Sequence, residues 1–196
     1  DVVTYLGEDK KVKLPIIPSM AAIGQINELP IESPYLEKGT RVYVSAVKNC
    51  GKCPHCVTGK QSDCYDFCVA SKNEDGFLKD FAVVNQADVF PLPASIRDED
   101  AVYIELIKLA LSVIDKLDVE KGQHVAIIGG TLLGTIIAQL IIYYQGVPIL
   151  IDSSDEKLEL AKRSGVYYTI NSESNPEKEV SSLTGGRMTS KVVHVA

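Results

Sequence analysis

The sequence predicts an α/β fold: a mostly β region over residues 1–95, followed by a doubly wound parallel sheet over residues 96–196. Three observations lead to this prediction. Short β-rich runs punctuated by glycine and proline fill the first region, one stretch of it holds every cysteine, and apolar strands alternate with helical patterns through the second. Such alternation implies right-handed crossovers between parallel strands.

In the first region, strands are predicted within residues 41–47 and 81–84, where β-branched and aromatic residues are concentrated. Residues 49–68, between these strands, have little hydrophobic periodicity. We therefore expect a lobe at 49–68 that is ordered by something other than an apolar core.

In the second region, helical spacing of apolar residues begins after Pro93 and continues to Leu117, with Ser95 or Asp98 as the predicted N-cap. Predicted strands and helices then alternate, at 125–128, 132–144, 149–151, 154–163, 167–170, 176–183 and 192–195. The helix at 132–144 is predicted to be buried, as is the last strand. Because no helix follows that strand to cover it, we expect the native chain to continue.

Composition and charge exclude several classes of function. The 196 residues include 20 Lys+Arg and 26 Asp+Glu, a formal net charge of −6, and 45% are hydrophobic. An acidic chain without a basic block lacks the surface that nucleic acid requires, so we expect no nucleic-acid partner. The longest apolar run is interrupted by polar residues and falls short of the roughly 20 residues of a membrane helix, so we expect no membrane span.

Four cysteines form the strongest motif in the chain. Cys50, Cys53, Cys56 and Cys64 follow the pattern Cys-x2-Cys-x2-Cys-x7-Cys, which suits a tetrahedral zinc ion held by four thiolates. Disulfides are the alternative, but the cysteine count is odd, the spacings are short, and nothing in the sequence indicates secretion. A four-sulfur site is closed and structural because no coordination position is left for water.

A glycine-rich turn between a predicted strand and a predicted helix suggests a nucleotide site. The turn contains Gly129, Gly130, Thr131, Leu132, Leu133 and Gly134, and it departs from the G-x-G-x-x-G pattern because Thr131 stands at the middle glycine. Asp152, eighteen residues beyond Gly134, ends the next strand, where a carboxylate can accept hydrogen bonds from ribose hydroxyls. The alternatives are a plain tight turn at Gly129 and a helix-capping role for Asp152.

The cysteine lobe and the order of elements resemble the medium-chain zinc-dependent alcohol dehydrogenases, including the polyol and threonine dehydrogenase branches. The resemblance is carried by residues 50–59 with Cys64, by 39–42 before them, and by 75–77 with Phe81 after them. It implies a partial GroES-like catalytic domain over 1–95 and a partial Rossmann domain over 96–196. It also implies a structural zinc, a nicotinamide cofactor, an alcohol or ketone substrate, a cytoplasmic location and a homodimer or homotetramer.

The same resemblance identifies candidate residues around the cofactor and substrate. Asp152 followed by two serines favours NAD over NADP, and Lys157 matches a position beside the ribose; as an isolated charge, Lys157 would simply be a solvated helix residue. Glu105 matches a zinc-coordinating glutamate of the polyol branch, and its alternative role is an ion pair with Lys108 on the helix surface.

At the position of the family's catalytic zinc, this sequence departs from the pattern. Met20 replaces the histidine ligand and Ala21 replaces its acidic neighbour. A thioether is a poor ligand for zinc, so the catalytic zinc site is predicted to be degenerate. Two hypotheses follow: an NAD-dependent oxidoreductase, or an inactive relative that serves as a zinc- and nucleotide-binding scaffold or as an oligomerisation subunit.

Overall fold

The computed structural model describes residues 2–20, 22–29 and 35–195 of the chain. The chain divides into two compact units, Asp1–Glu105 and Leu106–Ala196. This division lies further along than residue 95, where the sequence pattern changes. Glu105, the last residue of the first unit, accepts a hydrogen bond from the Ala46 amide of the same unit.

Short elements make up the N-terminal unit: α1 (Val2–Tyr5), β1 (Ala22–Gln25), β2 (Arg41–Val44), β3 (Val47–Lys48), α2 (Pro54–Val57), β4 (Cys68–Val69), β5 (Val89–Pro91) and α3 (Asp98–Ala101). Strands β1, β2 and β5 form an antiparallel sheet with β2 in the middle, and β3 pairs with β4. Leu36, Val42 and Val89 form the buried core of this unit. The mostly β character predicted here is confirmed.

Two local predictions for the N-terminal unit were wrong. Residues 81–84 are not a strand; they pair with no strand in the described part of the chain, and Val83 is fully exposed. Neither Ser95 nor Asp98 caps α3, because Arg97 occupies the N-cap position without a side-chain cap bond. The Asp98 carboxylate is instead paired with the guanidinium of Arg41.

The C-terminal unit alternates helices and strands. Helix α4 (Ile104–Leu117) leads into β6 (His124–Ile128), α5 (Leu132–Tyr143), β7 (Val147–Asp152), α6 (Asp155–Arg163), β8 (Tyr168–Asn171), α7 (Pro176–Leu183) and β9 (Lys191–His194). The strands form one parallel sheet in the order β8-β7-β6-β9. This order places β6, the strand before the glycine-rich turn, between β7 and β9.

Helices cover both faces of this sheet. Ile127 and Leu150 pack on one face with α4, α5 and α6, whereas Ile149 and Ile170 pack on the other with Val180 of α7. Successive residues of β7 thus enter different cores, as expected for a strand between two helical layers. The predicted doubly wound sheet is confirmed.

Burial in this unit is less complete than predicted. Helix α5 buries Ile137 and Ile141 but leaves Tyr143 78% exposed, so only one face of the helix is buried. In β9, Val193 is buried while Val192 is 56% exposed, and the prediction of a fully buried strand was wrong. Helix α7 lies on that side and packs against the strands β7 and β8 instead. Among the described helices, none combines the length and apolarity needed to cross a bilayer.

Candidate functional site

The four predicted cysteines come together in the lobe between β3 and β4. Cys50 follows β3, Cys53 is the N-cap of α2, Cys56 lies within α2, and Cys64 follows a short 3₁₀ turn. Their sulfur atoms all lie within 4.8 Å of one another. Pro54 at the first position of α2 favours the helical start that brings Cys53 and Cys56 to the same side.

Backbone amides point at three of these sulfurs. The N–H of Cys53 donates to Cys50 Sγ at 3.4 Å, that of Cys56 to Cys53 Sγ at 3.5 Å, and that of Cys50 to Cys64 Sγ at 3.4 Å. Gly51 supplies the positive φ of +71° that the first of these turns requires. Amide donors stabilise thiolates, which are the form that binds metal.

The electrostatics of the lobe differ from one thiol to the next. The hydrogen bond from the Cys56 amide is the main reason that the pKa of Cys53 falls to about 6. The Cys50 amide has the largest effect on Cys64 and lowers its pKa. Burial raises the pKa of Cys56 to about 12. A bound cation would offset that desolvation.

These residues fit zinc. Sulfur ligands at about 2.3 Å from a tetrahedral zinc lie about 3.8 Å apart, and Cys50 Sγ and Cys56 Sγ are 4.0 Å apart. All five cysteines are free, including Cys68 on β4, which is outside the cluster of four. His55 contacts Tyr65 through Nε2 at 2.7 Å from the phenol oxygen.

The glycine-rich turn joins β6 to α5. Gly129 has a φ of +114°, and Thr131 is the N-cap of α5, where its Oγ1 accepts a hydrogen bond from the Gly134 amide at 3.2 Å. The φ of Thr131 is −69°, which a β-branched residue adopts without strain. Thr131 therefore fits the turn in place of glycine. The amides of Leu132 and Leu133 begin the helix, where backbone N–H groups lack intrahelical acceptors.

Close packing requires glycine at position 134 and leaves little room for a side chain at Gly130. A Cβ on Gly134 would lie 2.1 Å from the Gly129 carbonyl oxygen, and one on Gly130 would lie 3.1 Å from Lys157 Cβ. The turn, α5 and the start of α6 are thus in close contact. The sequence pattern predicted a glycine-rich turn here, but it did not predict which atoms these two glycines approach.

Asp152 ends β7 beside the turn, with a side chain that is 9% exposed. Its Oδ2 accepts a hydrogen bond from Gly130 at 2.7 Å, and its Oδ1 accepts one from Ser154 at 2.8 Å. Lys157 Nζ lies 3.5 Å from Oδ2. Burial opposes ionisation, but the two amides and the lysine outweigh it and lower the pKa of Asp152. The cap of α6 is Ser154, whose side chain accepts from the Lys157 amide.

Glu105 lies in the N-terminal unit, at the start of α4. Its Oε1 accepts a hydrogen bond from the Ala46 amide at 3.1 Å, and Ser45 Oγ is 3.4 Å away. Ser45 is buried at the end of β2, and Ser45 and Ala46 were not predicted from the sequence as neighbours of this carboxylate. A backbone donor leaves no signature in residue type, so the pattern around Glu105 could not reveal it.

At the predicted catalytic-zinc position, Met20 is half-buried and Ala21 lies outside the described residues. Within the residues that the structure describes, the four cysteines are the one group of three or more His, Cys, Asp or Glu side chains close enough to hold a metal. Glu105 is not part of such a group there.

Comparison with known proteins gives a consistent result. Residues 1–94 match the family model described as the alcohol dehydrogenase GroES-like domain. A relative from Haemophilus influenzae, described as an uncharacterized zinc-type alcohol dehydrogenase-like protein, is 26% identical and aligns with 100% of this chain and 58% of its own length. The chain spans about half the length of the curated relatives it matches.

Two solved structures from Escherichia coli are similar throughout most of the chain. Galactitol-1-phosphate dehydrogenase has a TM-score of 0.86 and 27% identity, over 96% of this chain and 55% of that one. A protein described as a short chain alcohol dehydrogenase, complexed with cofactor NADH, has a TM-score of 0.78 and 29% identity, over 89% of this chain and 52% of that one.

Proposed function

Because this chain belongs to the medium-chain zinc-type alcohol dehydrogenase family, we propose that it acts in hydride transfer between a small alcohol or polyol and NAD. The observation that carries the proposal is the Asp152 carboxylate beside the glycine-rich turn. It is ionised, nearly buried and held by two amides, so its orientation is fixed before a nucleotide binds. Family members carry out NAD(P)-dependent oxidoreduction.

Each part of the turn has a role in this proposal. The amides of Leu132 and Leu133, at the positive end of the α5 dipole, would bind the pyrophosphate, with Gly129, Gly130 and Gly134 allowing its close approach. Thr131 would keep the Gly134 amide occupied as a cap. Asp152 would accept hydrogen bonds from the adenosine ribose, with Lys157 at its side. Bound nicotinamide would supply the hydride chemistry.

We propose NAD rather than NADP as the cofactor. A 2′-phosphate would meet the Asp152 carboxylate, and the nearby cation, Lys157, is already 3.5 Å from that carboxylate. The next two residues are Ser153 and Ser154, so neither supplies a second cation to neutralise the charge of a 2′-phosphate. The charge balance therefore favours a free ribose hydroxyl at this position.

Zinc bound by Cys50, Cys53, Cys56 and Cys64 would have a structural role. Four thiolates complete its tetrahedral coordination, so no position remains for an alcohol. Glu105 is the proposed acidic residue of the substrate site, but its Oε1 is already engaged by the Ala46 amide.

A second candidate function rests on Met20. If no catalytic metal can be held at this position, the chain would retain zinc and nucleotide binding and act as a scaffold or oligomerisation subunit.

We also propose a homodimer or homotetramer, as family members are commonly oligomeric. A cytoplasmic location is supported by the five free cysteines, which a reducing compartment would preserve.

Three measurements on one preparation test the proposal: zinc content, NAD affinity by calorimetry, and alcohol-dependent NADH formation at 340 nm (about 1 mM NAD, a saturating level for typical sites). Two zinc ions per chain with turnover would support the enzyme. One zinc with NAD binding and no turnover would support the scaffold. A chain that binds zinc but no NAD would contradict the proposed nucleotide site.

A further inference from the structure

A basic cleft in the N-terminal unit is unrelated to the nucleotide turn. It has a volume of about 320 Å³ and is lined by Lys11, Lys13, Pro15, Ile16, Lys72, Asn73, Glu74 and Asp75. We refer to it below as the lysine cleft. Three lysines in one cleft are unexpected in a chain whose net charge is −6.

The two walls of the lysine cleft are held together by the backbone. The Gly76 amide donates to Ile17 O at 2.7 Å, and the Leu78 amide donates to Pro18 O at 3.1 Å. A Cβ on Gly76 would lie 2.4 Å from the carbonyl oxygens of both Pro18 and Ser19, so glycine is required where the walls meet. The cleft is thus a fixed feature of the unit rather than a chance gap between side chains.

The acidic groups of the cleft are already engaged. Glu74 forms an ion pair with Lys48 at 2.6 Å, and Asp75 Oδ1 accepts a hydrogen bond from the Ile17 amide at 3.0 Å. The Asn73 side-chain oxygen accepts from the Val69 amide at 2.6 Å. In these contacts, the side chains of residues 73–75 hold their own loop in place.

The lysines, in contrast, have no carboxylate partner. Among the described residues, Lys11, Lys13 and Lys72 form no ion pair or side-chain hydrogen bond. Each ammonium group carries three donors, and the three ammonium groups outnumber the two carboxylates that line the same cleft, of which Glu74 is already paired with Lys48. An anionic ligand would balance the positive charge that remains.

We propose that the lysine cleft binds the phosphate group of a small molecule. Ammonium groups bind phosphate as compact point charges, and a tetrahedral dianion accepts hydrogen bonds from several directions at once, which three lysines can supply. The volume lies at the lower end of the range for small-molecule cavities, about 300–1,000 Å³. Free phosphate and a phosphate monoester share this chemistry.

The site is independent of the nucleotide turn, because every residue that lines it belongs to the N-terminal unit. Substitution of Asp152 should therefore leave phosphate binding unchanged while it weakens NAD binding. A failure of the proposed cofactor site and a failure of the lysine cleft can thus be told apart.

The test is a calorimetric titration of the zinc-loaded chain with inorganic phosphate, glycerol 3-phosphate and glycerol. The combined variant Lys11→Ala, Lys13→Ala and Lys72→Ala is compared with a control of equal net charge, Lys38→Ala, Lys60→Ala and Lys121→Ala. All six lysines are on the surface, and thermal unfolding checks that both variants fold.

We expect millimolar phosphate binding that weakens with added KCl, is unchanged in the control and falls at least about tenfold in the cleft variant, a loss of about 1.4 kcal/mol. Tighter binding of glycerol 3-phosphate would identify a phosphate monoester as the ligand, and tighter binding of inorganic phosphate would identify the free ion. Equal losses in both variants, undiminished binding in the cleft variant, or no binding to the wild-type chain would overturn the proposal.

Discussion

Asp152 Oδ2 accepts a hydrogen bond from the Gly130 amide at 2.7 Å, which links the end of β7 to the turn after β6. The other oxygen of the same carboxylate accepts from Ser154 at the start of α6. One side chain therefore positions the turn, the strand end and the next helix. Its ionised form strengthens the contacts with the two amides and with the Lys157 ammonium group.

The first prediction concerns nucleotide affinity. Asp152→Asn should weaken NAD binding by about ten- to a hundredfold, because the asparagine nitrogen donates and cannot accept, so one oxygen is left to accept from the Gly130 and Ser154 amides and the ribose hydroxyl. Calorimetry with NAD measures the loss. Glu156→Gln, which removes a charge from an exposed position on α6, is the matched control, and a similar loss in both variants would contradict a specific role for Asp152.

The second prediction concerns pH. The pKa of Asp152 is lower in the folded chain than its ordinary value of 3.8. Its contribution to the free energy of unfolding is therefore complete above that value and is lost as the pH falls through the lowered folded pKa. Chemical denaturation between about pH 2 and pH 6 should give a smaller acid-induced loss for Asp152→Asn than for the wild type. Identical pH profiles would show that the carboxylate does not stabilise the fold.

The third prediction concerns packing at the turn. Gly134→Ala should lower the free energy of unfolding by about 2–4 kcal/mol, because its Cβ would lie 2.1 Å from the Gly129 carbonyl oxygen. Gly24→Ala is the control, since no atom lies within 4 Å of a Cβ at that position. Urea denaturation of both variants measures the difference, and equal stabilities would refute the tight approach of α5 to the turn.

The fourth prediction concerns metal binding. Cys64→Ser should reduce tightly bound zinc well below one ion per chain, whereas Cys68→Ser, outside the cluster of four, should retain it. Metal analysis after gel filtration measures the content of each variant. Loss of zinc in the Cys68 variant alone would show that the coordinating set has been assigned wrongly.

The fifth prediction concerns Glu105. Glu105→Ala should destabilise the N-terminal unit by about 1–3 kcal/mol, because it leaves the Ala46 amide without its acceptor. Glu105→Gln keeps an oxygen acceptor and should restore most of this loss. If Glu105→Gln kept this stability but abolished alcohol-dependent turnover, the turnover would require the charge of Glu105 and not its hydrogen bond alone.

Much of the fold could be predicted from sequence because local patterns agree with tertiary contacts. Ser154 was predicted as a cap and is the N-cap of α6. The short apolar runs of β6 and β7 were predicted as strands, and their central residues are buried. Residues 81–84 show the limit: β propensity was present, but a strand also needs a neighbour to pair with. Val192 shows a second limit of the prediction: it is exposed because α7 packs against β7 and β8, and the sequence pattern does not say which strands a helix covers.

The candidate site was predictable to the extent that it depends on residue type. The short spacing of four cysteines predicted that their sulfur atoms come together. Asp152 was identified from its position in the sequence, at the end of the strand that follows the turn. The contact between Glu105 and Ala46 was not predictable, because a backbone amide carries no information about its acceptor. The lysine cleft likewise depends on two segments that are distant in sequence.

The amide bonds to sulfur in the cysteine lobe have a consequence for biosynthesis. Without a cation, the thiolates that these amides favour would repel one another. Val57, Tyr65 and Phe67 are exposed, so the lobe has little buried apolar surface to oppose that repulsion. Folding of the lobe and capture of the ion are then a single equilibrium. Chains made in a cell starved of zinc would therefore have a folded parallel sheet but a lobe that is open to proteases.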